Sequence, residues 1–333
     1  MAHSKWNFAI DISLWQENVD IPYVIKSSGG KVKVVICKAM QLLDAGENLD
    51  VTKDPQFDRN VQGCQDAGVP CGAYIFHNGL YHLRDDAKNF SSNQQIQAAI
   101  KILNPETKNY HFIALDLEDT PETKSMTPNQ WLASARLGFE YLKEARKRKL
   151  IKNVPIGLYT NHYFIKDRTQ IADGGSLWDD VASGYFDFIW EARYMFIPSG
   201  TNVVKTWDKL GECLPPETLH PTGLNGIRYW DANNQYEGDM VKKLVFWQYS
   251  DGWKLPLAQG RTPQKVDLNL ILVSDDERND WLKYTPTSGS TNPPIEPPPV
   301  IIPPTSGSGT VDLTQVNFKL DKILGILNKH FIP

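Results

Sequence analysis

The sequence predicts an α/β fold in which eight β-strands alternate with helices and close into a barrel. Apolar, β-branched runs recur at residues 8–12, 32–39, 71–76, 110–117, 154–159, 186–194 and 244–249, with a short one ending at Asp267. Helical patterns fall between several of them, near residues 54–67, 84–103 and 128–148. This alternation implies a parallel sheet, most simply a closed β/α barrel. An open doubly wound sheet is the alternative. No GxGxxG follows the first strand, which disfavours the dinucleotide-binding version of that sheet.

The best-marked element is the helix over residues 128–148. Thr127 stands at the N-cap, Pro128 at the first helical position, and Gln130 where a capping box needs an amide. Its far end carries Lys143, Arg146, Lys147, Arg148 and Lys149, which suit the negative end of the helix dipole. That role accounts for the basic cluster without invoking nucleic acid. Residues 197–243 are rich in Pro, Gly and Trp and lack clear periodicity. They read as an elaborated loop with a hairpin around 227–236, of the kind that shapes clefts in barrels. Asp231, in Tyr229-Trp230-Asp231, is assigned to this loop.

Three segments follow from composition. Residues 1–284 read as the compact barrel domain. Residues 285–310 are rich in Pro, Ser, Gly and Thr around Pro-Pro-Ile-Glu-Pro-Pro-Pro, a semi-extended linker. In 311–333, Leu313, Val316, Leu320, Ile323 and Leu327 follow 3,4 spacing, a seam of about two heptads. An isolated helix of this size is marginal in water, so it is expected to dock on another surface or form a homo-oligomer.

Bulk properties narrow the function. The net charge of −4 and pI near 6.0 give no reason to expect a nucleic-acid partner. No span approaches 18 apolar residues, so no transmembrane helix is expected. The first residues, Met-Ala-His-Ser-Lys-Trp-Asn-Phe, lack an apolar core, and the expectation is synthesis in a cytoplasm without an export signal. A secreted enzyme whose leader is missing from this sequence is the other option. Cys37, Cys64, Cys71 and Cys213 show no CxxC spacing and no nearby His, so neither a metal nor a cofactor is expected, and nothing requires a disulfide.

Chemistry concentrates at strand ends. In Tyr110-His111-Phe112-Ile113-Ala114-Leu115-Asp116-Leu117-Glu118-Asp119, an apolar strand delivers Asp116 and Glu118 two residues apart, hence on one face and roughly 7 Å apart at their attachment points. Hydrolysis of a glycosidic bond uses carboxyl groups in about that range, one protonated and one ionised. Phe8-Ala9-Ile10-Asp11 and Lys265-Val266-Asp267-Leu268-Asn269 place two more acids at strand ends. A carboxylate ending an apolar strand is costly to bury unless paired or functional. In a barrel all four can meet on one face.

Several motifs resemble glycoside hydrolase family 25. They are Asp11-Ile12-Ser13 with Trp15-Gln16, Lys38-Ala39, Asp54-Pro55-Gln56-Phe57, Ala67-Gly68-Val69 and Gly72-Ala73-Tyr74. They continue with Ala114-Leu115-Asp116-Leu117-Glu118, Pro155-Ile156-Gly157-Leu158-Tyr159-Thr160, Trp190-Glu191-Ala192-Arg193-Tyr194, Phe246-Trp247-Gln248-Tyr249-Ser250 and Val266-Asp267-Leu268-Asn269. The resemblance runs over roughly residues 6–275 in the family's order. It implies a modified (β/α) barrel, TIM-like, and a lysozyme of the Chalaropsis type. Such an N-acetylmuramidase cuts the β-1,4 bond between N-acetylmuramic acid and N-acetylglucosamine in bacterial peptidoglycan. Carried over, Glu118 is the general acid, Asp116 stabilises the transition state or orients the substrate N-acetyl group, and Asp11 and Asp267 complete the acidic floor. Three nearby carboxylates are expected to keep Glu118 protonated. Tyr74, Tyr159, Trp190, Tyr194, Trp247 and Tyr249 are the candidate sugar contacts.

The chain departs from the family pattern in places. Ile75 follows Tyr74 where His is common, Met40-Gln41-Leu42 replaces an expected acid after Lys38-Ala39, and Glu191 stands where a small residue is usual. A chitinase-like DxxDxDxE strand is a poor match, because its first two Asp positions fall on His111 and Ala114. A muramidase without an export signal suggests a bacteriophage or prophage lysin. The competing class is a non-catalytic glycan-binding or structural phage-particle component on the same barrel.

Overall fold

The computed structural model describes residues 7–45, 48–77, 92–119, 126–161, 164, 168–169, 177, 180, 185–194, 204–213 and 244–272. The chain divides into two units, Met1–Pro286 and Thr287–Pro333, and every described residue belongs to the first. The linker at 285–310, the amphipathic segment at 311–333, the hairpin at 227–236 and Asp231 lie outside the described residues.

The strands are β1 (Phe8–Ile12), β2 (Val32–Ala45), β3 (Asn48–Lys53), β4 (Cys71–His77), β5 (Phe112–Leu117), β6 (Ile156–Asn161), β7 (Phe188–Ala192), β8 (Leu244–Leu255) and β9 (Gln264–Ile271). The α-helices are α1 (Ile21–Ser27), α2 (Phe57–Asp66), α3 (Ser92–Ile102) and α4 (Pro128–Lys147), and a 3-10 helix spans Trp207–Cys213. The sheet runs β1-β9-β8-β7-β6-β5-β4-β2, and β1 also pairs with β2, so eight strands close a barrel. β3 hangs on β2 as an antiparallel extension.

The ring is not wholly parallel, as the alternation implied. β9 runs antiparallel to both neighbours, β1 and β8. Chain length explains this: only residues 256–263 separate β8 from β9, and a parallel crossover needs a dozen or more. The same logic holds for β2 and β3, which two residues connect. β3 escaped the sequence reading because Asn-Leu-Asp-Val-Thr-Lys is short and half polar.

Side chains obey the two-residue period of strands. One set faces the barrel interior: Ala9, Val34, Ile36, Tyr74, Phe112, Ala114, Tyr159, Phe188, Trp190, Ala192 and Phe246 form one buried cluster. The alternate set packs outward against the helices, as Ile10, Val35, Cys37, Ala73, Ile113, Leu115, Leu158, Ile189, Trp247 and Tyr249 do. Two glycines make room inside. A Cβ on Gly72 would stand 2.1 Å from the Phe112 ring, and one on Gly157 2.4 Å from Phe188. Phe112 and Phe188 then meet edge to face, with centroids 5.5 Å apart.

α4 starts as its sequence dictates. Thr127 N–H donates to Gln130 Oε1 at 2.8 Å, and Gln130 N–H donates to Thr127 Oγ1 at 3.3 Å. Its buried face, including Trp131, Leu132, Ala135, Phe139 and Leu142, covers the outer side of the barrel. Among the described residues, no helix is long and apolar enough to cross a membrane.

Candidate active site

Strand alternation decides which side chains reach the cleft. On β1, β2, β4 and β5 the inward series ends in Asp11, Lys38, Phe76 and Asp116, with Glu118 just past the end of β5. On β8 and β9 it supplies Gln248 and Asp267. These residues line one cavity of about 340 Å³, together with Trp15, Gln16, Tyr74, Tyr159, Trp190, Tyr194, Asp251 and Lys265. All four acids therefore share one cleft, although Asp267 stands inside β9 and not at a strand end as the sequence implied, because that strand runs on to Ile271.

Asp11 and Asp267 are paired across the antiparallel β1–β9 ladder. Like charges directly opposite each other destabilise a sheet, and the two carboxyls resolve the conflict by sharing a hydrogen bond. One of them must then carry a proton. Burial pushes Asp267 well above the carboxylate range, and the charge of Asp11 adds to it. Burial also raises Asp11, to about 6, against the pull of Asn269 and Gln248. Burial of both carboxyls thus favours one proton held by the pair.

Asp11 Oδ2 takes two further donors, Asn269 Nδ2 at 2.7 Å and Gln248 Nε2 at 3.0 Å. Trp190 Nε1, which can only donate, binds Asn269 Oδ1 at 2.7 Å and so fixes which way that amide points. Gln248 Oε1 accepts the hydroxyls of Tyr159 at 2.8 Å and Tyr194 at 2.7 Å. Tyr159 also hydrogen-bonds Glu118. The Tyr159 hydroxyl, whose donation favours the ionised form of Glu118, stands between that carboxyl and Gln248. A continuous chain thus joins Glu118 through Tyr159 and Gln248 to Asp11.

Glu118 is half-buried and Asp116 fully so. Burial is the main cause that raises Glu118, with the Tyr159 hydroxyl and Lys38 pulling the other way. Sequence reasoning attributed the rise to neighbouring carboxylates; desolvation takes that part instead. Asp116 is pushed well above its usual range, by burial first and by Glu118 second, while Lys38 opposes. Its Oδ1 is buried without a hydrogen-bond partner. Lys38, only 8% exposed, is lowered by burial but held up by Asp116, Asp54, Glu118 and Asp11. It also lies 4.8 Å from the Phe76 ring centroid and 5.7 Å from that of Tyr74.

Of the six aromatic candidates, Tyr74, Tyr159, Trp190 and Tyr194 line the cleft. Trp247 and Tyr249 do not. They are outward neighbours of the inward Gln248 and belong to the outer core; Trp247 Nε1 donates to the Arg193 carbonyl at 3.0 Å. Sequence reasoning followed the aromatic rings in Phe246-Trp247-Gln248-Tyr249 and passed over the amide between them. The two-residue period, applied from Phe246, would have selected Gln248. Asn269, two positions after Asp267, was legible the same way. Trp15, 73% exposed at the cleft, was noted only as part of a motif. Glu191 sits on the outward side of β7, where burial raises its carboxyl far above the usual range.

The model of the family described as glycosyl hydrolases family 25 matches residues 10–185. That stretch holds Asp11, Lys38, Tyr74, Asp116, Glu118 and Tyr159. None of the curated proteins matches the chain. Solved structures similar to it include the catalytic domain of endolysin ply40 from bacteriophage P40 of Listeria monocytogenes. That likeness has 18% identity, covers 84% of this chain and 98% of that one, and has a TM-score of 0.48. A family 25 glycosyl hydrolase from Bacillus anthracis is 15% identical over 82% of this chain and 92% of its own, at a TM-score of 0.49. The spore cortex lytic enzyme SleM of Clostridium perfringens is 20% identical over 82% and 69%, at 0.47.

Proposed function

The chain belongs to glycosyl hydrolases family 25, and from that premise we propose that it is a peptidoglycan hydrolase, a lysozyme that cuts the β-1,4 bond from N-acetylmuramic acid to N-acetylglucosamine. The observation that carries this reading is the shared cleft of Asp11, Asp116, Glu118 and Asp267. Glu118 is the general acid. Burial favours its protonated form, and its place at the end of β5 lets it meet the leaving oxygen. Asp116 presents a buried oxygen with no partner. That oxygen accepts the acetamido N–H of the substrate and turns the acetamido carbonyl toward the anomeric carbon. The cleavage then retains configuration through the substrate's own group.

Asp11 and Asp267 hold negative charge and one shared proton beneath the sugar. Lys38 offsets the charge on Asp116. Tyr74, Tyr159, Trp190 and Tyr194 form the walls, and Trp15 offers an exposed flat ring for a further sugar. We read the protein as a phage or prophage lysin acting on the cell wall, with residues 311–333 as a docking or oligomerisation helix.

A turbidity assay on purified peptidoglycan tests the acid assignment. Wild type clears it, and Glu118→Gln is slower by about 10²–10⁴-fold, the usual loss for a general acid. Equal clearing by both proteins rejects Glu118, and no clearing by wild type favours a glycan-binding component. Mass spectrometry of the released muropeptides identifies the bond: reducing-end muramic acid supports the proposal, reducing-end glucosamine contradicts it.

A further inference from the structure

Three of the four cysteines converge outside the cleft. Cys37 lies on β2 and Cys71 on the adjacent parallel strand β4. Cys71 is level with Val35, two residues before Cys37, so the two thiols are diagonal neighbours on the outward face. Cys64, on α2, packs down onto that face. All three are fully buried and unbridged. The Cys37 and Cys71 sulfurs are 3.6 Å apart, and all three lie within 4.8 Å of one another.

We propose that Cys37, Cys64 and Cys71 form a closed, three-coordinate site for one soft, thiophilic metal ion, monovalent copper above all. Three sulfurs around one ion, each at a bond length of about 2.3 Å, stand about 4 Å apart. The observed spacing is already close to that, so loading the site needs small side-chain rotations and no change of fold. Donor chemistry selects the ion. Thiolates favour soft metals such as monovalent copper, whereas structural zinc takes four ligands. Among the described residues, this group offers only its three sulfurs.

Each sulfur that coordinates exchanges its S–H bond for a sulfur–copper bond and releases its proton to solvent. The ion would tie α2 to β2 and β4. Because the site is closed, it loads during folding or when α2 opens.

The test is an anaerobic titration of the reduced, full-length protein with monovalent copper held by the colorimetric chelator bicinchoninate. Wild type should withdraw one equivalent per chain and develop a sulfur-to-copper charge-transfer band in the ultraviolet. Cys37→Ala, Cys64→Ala and Cys71→Ala should each lose at least tenfold in affinity, and Cys213→Ala none. Failure to withdraw copper overturns the proposal, as does unchanged affinity in Cys64→Ala. Binding of zinc but not copper also overturns it, and so does a thiol count showing two of the three joined as a disulfide. Should a variant not fold, the wild-type melting temperature decides: a rise with one equivalent of copper supports the site, and no rise rejects it.

Discussion

Gln248 bridges Asp11 to the tyrosines of the cleft: its Nε2 donates to Asp11 Oδ2 at 3.0 Å while its Oε1 takes the Tyr159 and Tyr194 hydroxyls. A single amide therefore sets the orientation of an acid on β1 and of two walls of the cavity. It is buried, as is every polar atom it binds except the half-exposed Tyr194.

Gln248→Leu keeps the volume and removes both sides of the bridge. A hydrogen bond to a charged group is worth about 1.5–3 kcal/mol, so kcat should fall about tenfold to a hundredfold. The Tyr159 and Tyr194 hydroxyls are then free to donate to Glu118, which favours its ionised form and should move the alkaline limb of the pH–rate profile to lower pH. Steady-state assays across pH on a soluble peptidoglycan fragment measure both. An unchanged profile with wild-type kcat would remove Gln248 from the machinery.

Stability should depend on Asp11 with a definite sign. Its carboxyl is raised from 3.8 to about 6 on folding. A group that binds its proton more tightly in the native chain contributes fully below about pH 3.8, and that contribution is lost as pH climbs through 6. The amount is on the order of 3 kcal/mol. His77 works oppositely: burial lowers it from 6.5 to about 4, so its contribution is full above 6.5 and is lost as pH falls through 4. The raw melting curve mixes the two. The gap in melting temperature between wild type and Asp11→Asn isolates the first, and it should shrink steadily from pH 4 to 7. A gap constant over that range would contradict the shift.

Gly72→Ala should be strongly destabilising, because its Cβ would overlap the Phe112 ring at 2.1 Å. Overpacking of this sort typically costs about 1–3 kcal/mol. Adding Phe112→Leu should recover part of the loss, since the ring is what the methyl meets. Urea denaturation of the two single variants and the double variant gives the coupling. Simple additivity would mean that the ring is not the obstacle.

Tyr249→Phe should leave the stability unchanged or raise it by about 1 kcal/mol. The Tyr249 hydroxyl is buried in the outer core without a hydrogen-bond partner, and removing an unsatisfied group relieves its desolvation cost. Activity should stay at the wild-type level, because the ring lies off the cleft. A drop in melting temperature by thermal denaturation would show that the hydroxyl is bonded after all.

Much of this protein is written locally. The strand runs, the capping box at Thr127 and Gln130, and the two acids on one face of β5 each depend on residues within a few positions of one another. Hydrophobic period and hydrogen-bonding chemistry therefore determine them in the sequence itself. The position of Asp11 near the end of β1 was legible for the same reason, whereas Asp267 stands inside β9. What tertiary structure decided is everything that depends on distant partners. The antiparallel return of β9 set Asp11 against Asp267, closure of the ring brought Gln248 between Asp11 and Tyr159, and packing of α2 gathered three cysteines that show no metal-binding spacing along the chain. Spacing in sequence reports distance only within one element. Between elements, the register of the barrel and the direction each strand runs fix which side chains meet.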